Sequence, residues 1–514
     1  MYLTQGLHRA VQQNPHGVMT ICADRIRTFA EAADRIARVA AGLRGLGVGA
    51  DDRVGILALN SDRYLEYLLA VPWADAMLNP VNIRWSPAEI AYSLVDSGTA
   101  VLLVDDAFAP MVPALREAAP VLRTVVHCGD GPAPEGMVSY EDLIATSDPI
   151  EDARRGGDAP AGIFYTGGTT GHPKGVVLSH TGLQVSALGC QSTGFLAQPG
   201  ARYLHAAPMF HLADLAGCIT QIIMGGAQVM VPAFEPVAVM TAIADHKVTD
   251  TLLVPVMVQA VVDHPRVGEF DLGSVQGIIY GASPIAQSVL ERALRTFPQA
   301  RFAQAYGMTE LSPVATLLGP DDHVERTLRS AGRAAPHSEV RIADAEGNEL
   351  PRGTVGEILV RGAHMMLGYW NRPEETAAAL RGGWMHTGDG GYMDEAGFVF
   401  IVDRVKDMIV SGGENVYSAE VENAVSAHPA VAACAVIGVP DEQWGERVHA
   451  VIVCHAGASV TAAEIRDHTK TLIAGYKAPR TIELVDSMPI SGAGKILKRE
   501  LRKRYWGAGR SQVN

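Results

Sequence analysis

Between Tyr165 and Val177 the chain reads YTGGTTGHPKGVV. Consecutive small residues let backbone N–H groups approach anionic oxygens, threonine hydroxyls add donors, and Lys174 adds charge. The chemistry this suits is phosphate binding; the alternative is a flexible solvent loop. Neither common glycine-rich nucleotide motif is present. A Walker loop, G-x-x-x-x-G-K-[ST], needs glycine before its lysine and a hydroxyl residue after it, whereas Pro173 precedes Lys174 and Gly175 follows it. The dinucleotide fingerprint G-x-G-x-x-G is also absent.

Four further stretches carry chemistry-bearing residues. AYGMTE (Ala305 to Glu310) follows a strand-like run and ends in a carboxylate. HTGDGG (His386 to Gly391) sets Asp389 among glycines. DRVKDMIVSGGENVYSAEVE (Asp403 to Glu422) combines charges with a glycine pair, and SGAGKILKREL (Ser491 to Leu501) places Lys495 after small residues, with basic neighbours Lys498 and Arg499. Taken together and in this order, the five motifs resemble the ANL superfamily of adenylate-forming enzymes, which includes acyl-CoA synthetases, peptide-synthetase adenylation domains and firefly luciferase. The similarity is strongest to the fatty-acyl and 4-coumarate CoA ligase branch and covers nearly the whole chain.

The resemblance implies a two-step reaction. A carboxylate attacks the α-phosphate of ATP and expels pyrophosphate; the thiol of CoA then attacks the acyl-adenylate and expels AMP. An anion must approach a polyanion, so charge neutralisation and positioning dominate. The acid needs no base, because a group with a pKa of about 4 is already ionised near neutral pH. By the same resemblance, Thr166, Gly167, Gly168, Thr169, Thr170, Gly171 and Lys174 hold the β- and γ-phosphates and then the leaving pyrophosphate. Glu310, with Thr166, is implied as the Mg²⁺ site, and a cation that prefers one or two carboxylates plus phosphate oxygens suits a single Glu. Gly281, Ala282 and Ser283 with Tyr306 are implied as walls of the adenine site, with Ala305, Gly307, Met308 and Thr309 beside them. Asp389 accepts both ribose hydroxyls, Arg404 is its partner at ribose and phosphate, and Ile401 lies on the same strand. Lys495 bridges the substrate carboxylate and the α-phosphate during adenylation, and His211 in PMFHLADL is a gate beside the acyl pocket.

Lys495 and the SGGEN loop, with Gly412 and Gly413, serve different steps in the resembled family, so the small C-terminal domain is expected to rotate about a hinge at Lys406. Trp444 and Lys477 lie in segments that CoA ligases share; Lys477 meets a CoA phosphate or is a surface lysine. Two positions depart from the family pattern. Gly167 stands where serine is usual, trading a hydroxyl for backbone freedom. Ala305 stands where glycine is frequent, and its methyl narrows the floor of the acyl site, favouring a medium-chain or aryl acid over a very long one. The acid is expected to be a medium- or long-chain fatty acid or an aryl, cinnamate-type acid. Two other readings stay open: an acyl-AMP ligase loading a carrier protein in trans, and a non-catalytic nucleotide-binding sensor. A homodimer is common among relatives.

Around these residues the chain must build large, covered sheets. Its 514 residues are 48% hydrophobic and 19% charged, enough for an extensive core. A formal net charge of −14 argues against nucleic acid as the partner. Six scattered cysteines without C-x-x-C spacing disfavour a disulfide framework or zinc site and point to a reducing cytoplasm. The N-terminus does not read as a signal peptide, and no apolar run approaches the roughly 20 residues that span a bilayer.

Helical and strand-like segments alternate from Phe29 onward, which predicts an α/β fold of parallel sheets covered by helices. Residues 129–160, rich in Gly, Pro, Asp and Glu, read as a surface connection. GEILVRG and GFVFIVDR suggest a β-rich portion. After Arg404 the texture changes: a helix with Ser418 as its N-cap, strands in VAACAVIGVP and HAVIVCH, then another amphipathic helix. The expected organisation is an N-terminal adenylating domain of helix-covered sheets with a β-rich subdomain over 1–404, and a mobile α/β domain over 405–514 carrying the catalytic lysine and the CoA-side loop.

Overall fold

The computed structural model describes residues 1–166, 172–195, 197–282, 285, 287–404, 407–411, 414–441, 443–490 and 496–506, with the backbone alone at 404, 410 and 415. Contacts divide the chain into two compact units, Met1–Val340 with Val360–Met385, and Arg341–Leu359 with His386–Asn514.

The first unit is built on sheets of nine and eight strands. Helices cover them, and the local signals that start and stop those helices are legible in the sequence. The helix Phe29–Gly45 begins with a capping box in which the Thr28 side chain accepts from the Glu31 N–H and the Glu31 carboxylate accepts from the Thr28 N–H. The helix Pro87–Ser97 uses Ser86 and Glu89 in the same way, takes Pro87 in its first turn, and ends at Gly98 in the left-handed region. Residues buried along Phe29–Gly45, including Phe29, Ala32, Ile36, Ala40 and Leu43, fall on one stripe at helical spacing.

The sheets are mixed rather than purely parallel. The strands Arg53–Leu57, Met77–Pro80, Val101–Val104 and Thr124–His127 pair in parallel, each reached through a crossover long enough for a helix. Pro160–Thr166 and Lys174–Ser179 pair antiparallel because the link between them is too short for a crossover. The same holds for Arg301–Gly307 and Val314–Leu318.

The expected surface connection over 129–160 contains structure. Val138–Ser139 is a strand and Tyr140–Thr146 a helix, whose N-cap Ser139 accepts from the Asp142 N–H. Tyr140, Leu143 and Ile144 are buried, and the Tyr140 hydroxyl donates to Glu66 at 2.9 Å. The i, i+3, i+4 spacing was present in SYEDLIAT, but the surrounding Gly, Pro and acidic residues masked it. Glu66 and Asp62 are themselves buried, and the guanidinium groups of Arg25, Arg27 and Arg35 compensate them.

In the second unit, Val431–Asp441 and Gly445–Cys454 form a long antiparallel pair. Both faces are covered, which explains a near-continuous apolar run in place of alternation. Cys434 and Val436 pack with Val421, Val425 and Ile465 from two helices. Ala435, Ile437 and Val439 point the other way and pack with Leu501, Ile496 and Met488. The helix Ser418–Ser426 begins one residue earlier than expected: Tyr417 is its N-cap, and Ser418 is its first helical residue. The reason is that the Ser418 hydroxyl is engaged elsewhere, accepting from Lys498 Nζ at 2.5 Å, while the Ser418 N–H donates to the buried Asp403 carboxylate.

Candidate active site

Each unit holds some of the residues that the sequence singled out. In the first, the register pairs Thr166 with Lys174 across the base of the glycine loop. The loop residues Gly167, Gly168, Thr169, Thr170 and Gly171 lie outside the described residues, as do Ser283, Lys406, Gly412, Gly413 and Lys495; the side chain of Arg404 is also outside them.

Glu310 sits in a short 3₁₀ turn, Thr309–Leu311, directly after the strand Arg301–Gly307. It is 6% exposed. The Tyr369 hydroxyl donates to Glu310 Oε1 at 2.8 Å. Lys174 Nζ lies over the ring of the same tyrosine, 5.0 Å from its centroid, and is ion-paired with Glu375. Burial, then the charge of Glu310, pushes the Tyr369 hydroxyl well above its usual range, so it remains a donor. The strand Gly368–Tyr369 pairs with the strand that carries Lys174. The sequence singles out Lys174 and Glu310 but not Tyr369 and Glu375, which touch them only through this long-range pairing.

The strand Gly277–Gly281 runs parallel to Arg301–Gly307, with Gly281 opposite Ala305. The approach is so close that a Cβ at Gly281 would lie 2.3 Å from the Ala305 carbonyl oxygen, and one at Gly307 would lie 2.0 Å from the Pro313 oxygen. Only glycine fits either place. Ala282 holds φ 64°, a left-handed conformation costly for a residue with a side chain. Tyr306, Met308 and Thr309 continue from the end of the strand and are half-buried. Ala305 packs on an apolar cluster of Cys190, Ala303, Val314, Leu317 and Ala335. His211 is the N-cap of the helix Leu212–Met224 and lies against Phe210, with ring centroids 4.1 Å apart.

In the second unit, Asp389 on the strand Met385–Met393 lies opposite the Arg404 backbone on Val399–Arg404, and Ile401 pairs with Gly391. The turn presenting Asp389 is braced by residues the sequence did not single out. Glu357 accepts from the Gly388 N–H at 3.0 Å and pairs with His386 Nδ1 at 2.8 Å. The Thr387 hydroxyl donates to the Ile358 carbonyl at 2.7 Å and accepts from the Asp389 N–H at 3.1 Å.

Lys498 is not part of a solvated basic face: its ammonium sits 2.8 Å from Glu422, and Arg502 pairs with Asp407 at 2.6 Å. Ile490 and Ile496 form a β-bridge, so the flanks of residues 491–495 are tied together. The Trp444 ring carries the Arg480 guanidinium at 4.2 Å, and Lys477 Nζ lies 2.8 Å from both Glu420 oxygens.

Among the described residues no group of three or more His, Cys, Asp or Glu could cage a metal. A single buried carboxylate such as Glu310 instead suits Mg²⁺, which takes one or two carboxylates and completes its shell with phosphate oxygens and water. Among the described residues no helix is long and apolar enough to cross a membrane.

Residues 7–370 match the family of AMP-binding enzymes, and residues 420–495 match the AMP-binding enzyme C-terminal domain. A feruloyl-CoA synthase of an Amycolatopsis species is 40% identical over 502 residues, spanning 97% of this chain and 98% of that one. The fatty acid–[acyl-carrier-protein] ligase ScoC of Streptomyces coeruleorubidus is 36% identical over 509 residues, spanning 98% and 96%. Among solved structures, o-succinylbenzoate CoA synthetase (MenE) of Bacillus subtilis, in complex with the acyl-adenylate intermediate OSB-AMP, matches with a TM-score of 0.86 at 30% identity, covering 97% and 98% of the two chains. The fold is that of the adenylate-forming acyl-CoA synthetases, and this chain belongs to the AMP-binding enzyme family.

Proposed function

We propose that this protein is an AMP-forming carboxylate–CoA ligase. The observation that carries this reading is that one tyrosine touches both the buried Glu310 carboxylate and the Lys174 ammonium, in a chain matched along nearly its whole length by a CoA ligase. An oxygen of the substrate carboxylate attacks the α-phosphorus of ATP, and the bond to the bridging oxygen of pyrophosphate breaks. The sulfur of CoA, its proton released, then attacks the acyl carbonyl carbon, and the bond to AMP breaks.

In this reading Thr166, Lys174 and the glycine loop hold the β- and γ-phosphates, the Gly281–Ser283 and Ala305–Thr309 segments border adenine, and Asp389 with Arg404 orients the ribose. Glu310, with Thr166, would hold Mg²⁺, which when bound neutralises charge developing on the departing pyrophosphate. Residues 1–404 form the adenylating portion. Residues 405–514 form a mobile domain that brings Lys495 for the first step and, turning about Lys406, the Gly412–Gly413 loop, Trp444 and Lys477 for the second. Lys495→Ala is expected to lower pyrophosphate release by at least about a hundredfold while sparing CoA transfer from supplied acyl-adenylate. Equal loss of both half-reactions would contradict that role.

The acid class supported is an aryl, cinnamate-type or medium- to long-chain fatty acid, with the Ala305 methyl favouring the shorter or planar members. The cysteines are all free, five of them buried, which agrees with a cytoplasmic setting. A homodimer is the assembly that the resemblance suggests. The test is incubation with ATP, Mg²⁺ and a panel of carboxylic acids, with and without CoA, following pyrophosphate, AMP and acyl-CoA. Acyl-adenylate without acyl-CoA would favour the second reading, transfer to a carrier protein, for which the similarity to ScoC speaks. Absence of pyrophosphate with every acid would leave a nucleotide sensor.

A further inference from the structure

The segment 366–370 stitches together the two groups assigned to ATP in the first unit. The Met366 N–H donates to the Glu310 carbonyl at 2.8 Å, the Leu367 N–H to Val177 at 2.9 Å, and the Trp370 N–H to Gly175 at 2.7 Å. Tyr369 pairs with Val176 in the ladder, and its own N–H donates to the Thr376 hydroxyl at 2.8 Å. Its backbone is therefore fixed from both sides. From that anchor the side chain reaches Glu310, 59 residues earlier in the chain, and lies under the ammonium of Lys174. Nothing in the local sequence requires a hydroxyl here. The neighbouring Trp370 sends its indole N–H to the Asp96 carbonyl, so the aromatic pair is split between two separate tasks.

We infer that Tyr369 is a positioning residue for adenylation, its hydroxyl fixing the Glu310 carboxylate and its ring placing the Lys174 ammonium so that one side chain sets the geometry of the Mg²⁺ carboxylate relative to the phosphate lysine. A buried carboxylate rotates about its broad terminal torsion unless a donor holds it. A charged acceptor makes the holding bond stronger than a neutral one. The Glu310 oxygen is held by a neutral donor, which leaves the negative charge in place for a cation. A lysine at that position would instead cancel the charge.

The inference rests on the functional reading above, and the experiment separates the two. Tyr369→Phe removes only the hydroxyl and keeps the ring under Lys174. The ATP-induced rise in melting temperature is measured across graded MgCl₂ in wild type and Tyr369→Phe, alongside pyrophosphate release with an accepted acid. The expected result is an upward shift of roughly tenfold in half-saturating Mg²⁺, the size of one hydrogen bond to a charged group. The ligand-free melting temperature should fall by no more than a few degrees, the cost of one buried hydrogen bond, and the KM for the acid should stay unchanged. In a Glu310→Gln background the same substitution should shift the Mg²⁺ midpoint by less than about twofold, as a double-mutant cycle requires for two groups acting as one. An unchanged Mg²⁺ midpoint in Tyr369→Phe, or an equal shift in both backgrounds, would overturn the inference while leaving the ligase reading intact. Absence of pyrophosphate release from the wild type would overturn both.

Discussion

The two acidic residues that we propose meet ATP, Glu310 and Asp389, are set in different surroundings. Glu310, in the first unit, is buried, and its side chain is gripped by the Tyr369 hydroxyl. Asp389, in the second, is half-buried, and the turn that carries it is braced through its backbone, by Thr387 on the Asp389 N–H and Glu357 on the N–H of Gly388. The difference suits the two tasks. A carboxylate that shares a small cation with phosphates must keep its oxygens within a narrow geometry. A carboxylate that accepts from two ribose hydroxyls needs its turn held so that both of its oxygens face the sugar.

The sharpest way to break this contrast is at Glu310. Glu310→Gln keeps the shape and the Tyr369 contact but removes the charge, and is expected to lower the rate of pyrophosphate release by at least about a hundredfold with little change in the KM for the acid. A variant within a few fold of wild type in steady-state assays would remove Glu310 from the site. Asp389→Ala deletes the acceptor at the ribose and is expected to raise the KM for ATP by roughly ten- to a hundredfold, with a smaller effect on kcat. If kcat fell and the KM held, Asp389 would be acting on the transition state instead.

Glu357→Ala tests whether the brace matters as much as the residue it presents. It leaves His386 and the Gly388 N–H without their carboxylate, so about 1–3 kcal/mol of stability should be lost in chemical unfolding. The KM for ATP should rise less than in Asp389→Ala. An effect on ATP as large as that of Asp389→Ala would mean that Glu357 itself reaches the nucleotide.

The smallest effect concerns acid stability in the first unit. Burial pushes His364 down from 6.5 to about 3 and His180 down to about 4. Both are almost fully buried. Folded, they stay neutral; unfolded, they take up protons below pH 6.5. Their contribution is therefore complete above pH 6.5 and is lost as pH falls from there toward 4 and 3, at about 1.4 kcal/mol per pH unit for each histidine. His364→Gln should remove one such increment from the slope of unfolding free energy between pH 6 and 4.5. An unchanged slope would show that His364 is not excluded from protonation in the folded state.

The parts of this account that were legible in the sequence are those written locally. The glycine loop, YGMTE and HTGD each place a reactive side chain on a strand end or turn, and the strands themselves announce their burial through apolar runs. The helix caps at Thr28 and Ser86 obey rules that span three residues. What escaped was written across distance. Tyr369 sits in a two-residue strand within an apolar stretch, and its partners lie far back in the chain. Glu357 became visible only once the ladder set it beside His386. Lys498 was legible only as a basic neighbour of Lys495; the fold places Glu422 and Ser418 around it, and that engages the hydroxyl of Ser418, the expected N-cap. The helix at Tyr140 had the right spacing but the wrong neighbours. Local rules therefore found the groups assigned to ATP, while the groups that hold them required the three-dimensional pairing.

The most direct test follows the oxygen. The wild-type protein is incubated with ATP, Mg²⁺, CoA and an accepted acid whose carboxylate carries heavy oxygen, and the nucleotide product is analysed by mass spectrometry. Attack of the carboxylate on the α-phosphorus predicts AMP, with one labelled oxygen per molecule, formed in step with acyl-CoA. Unlabelled AMP, or ADP as the product, would contradict the adenylate and with it the roles given to Glu310, Asp389 and Lys495.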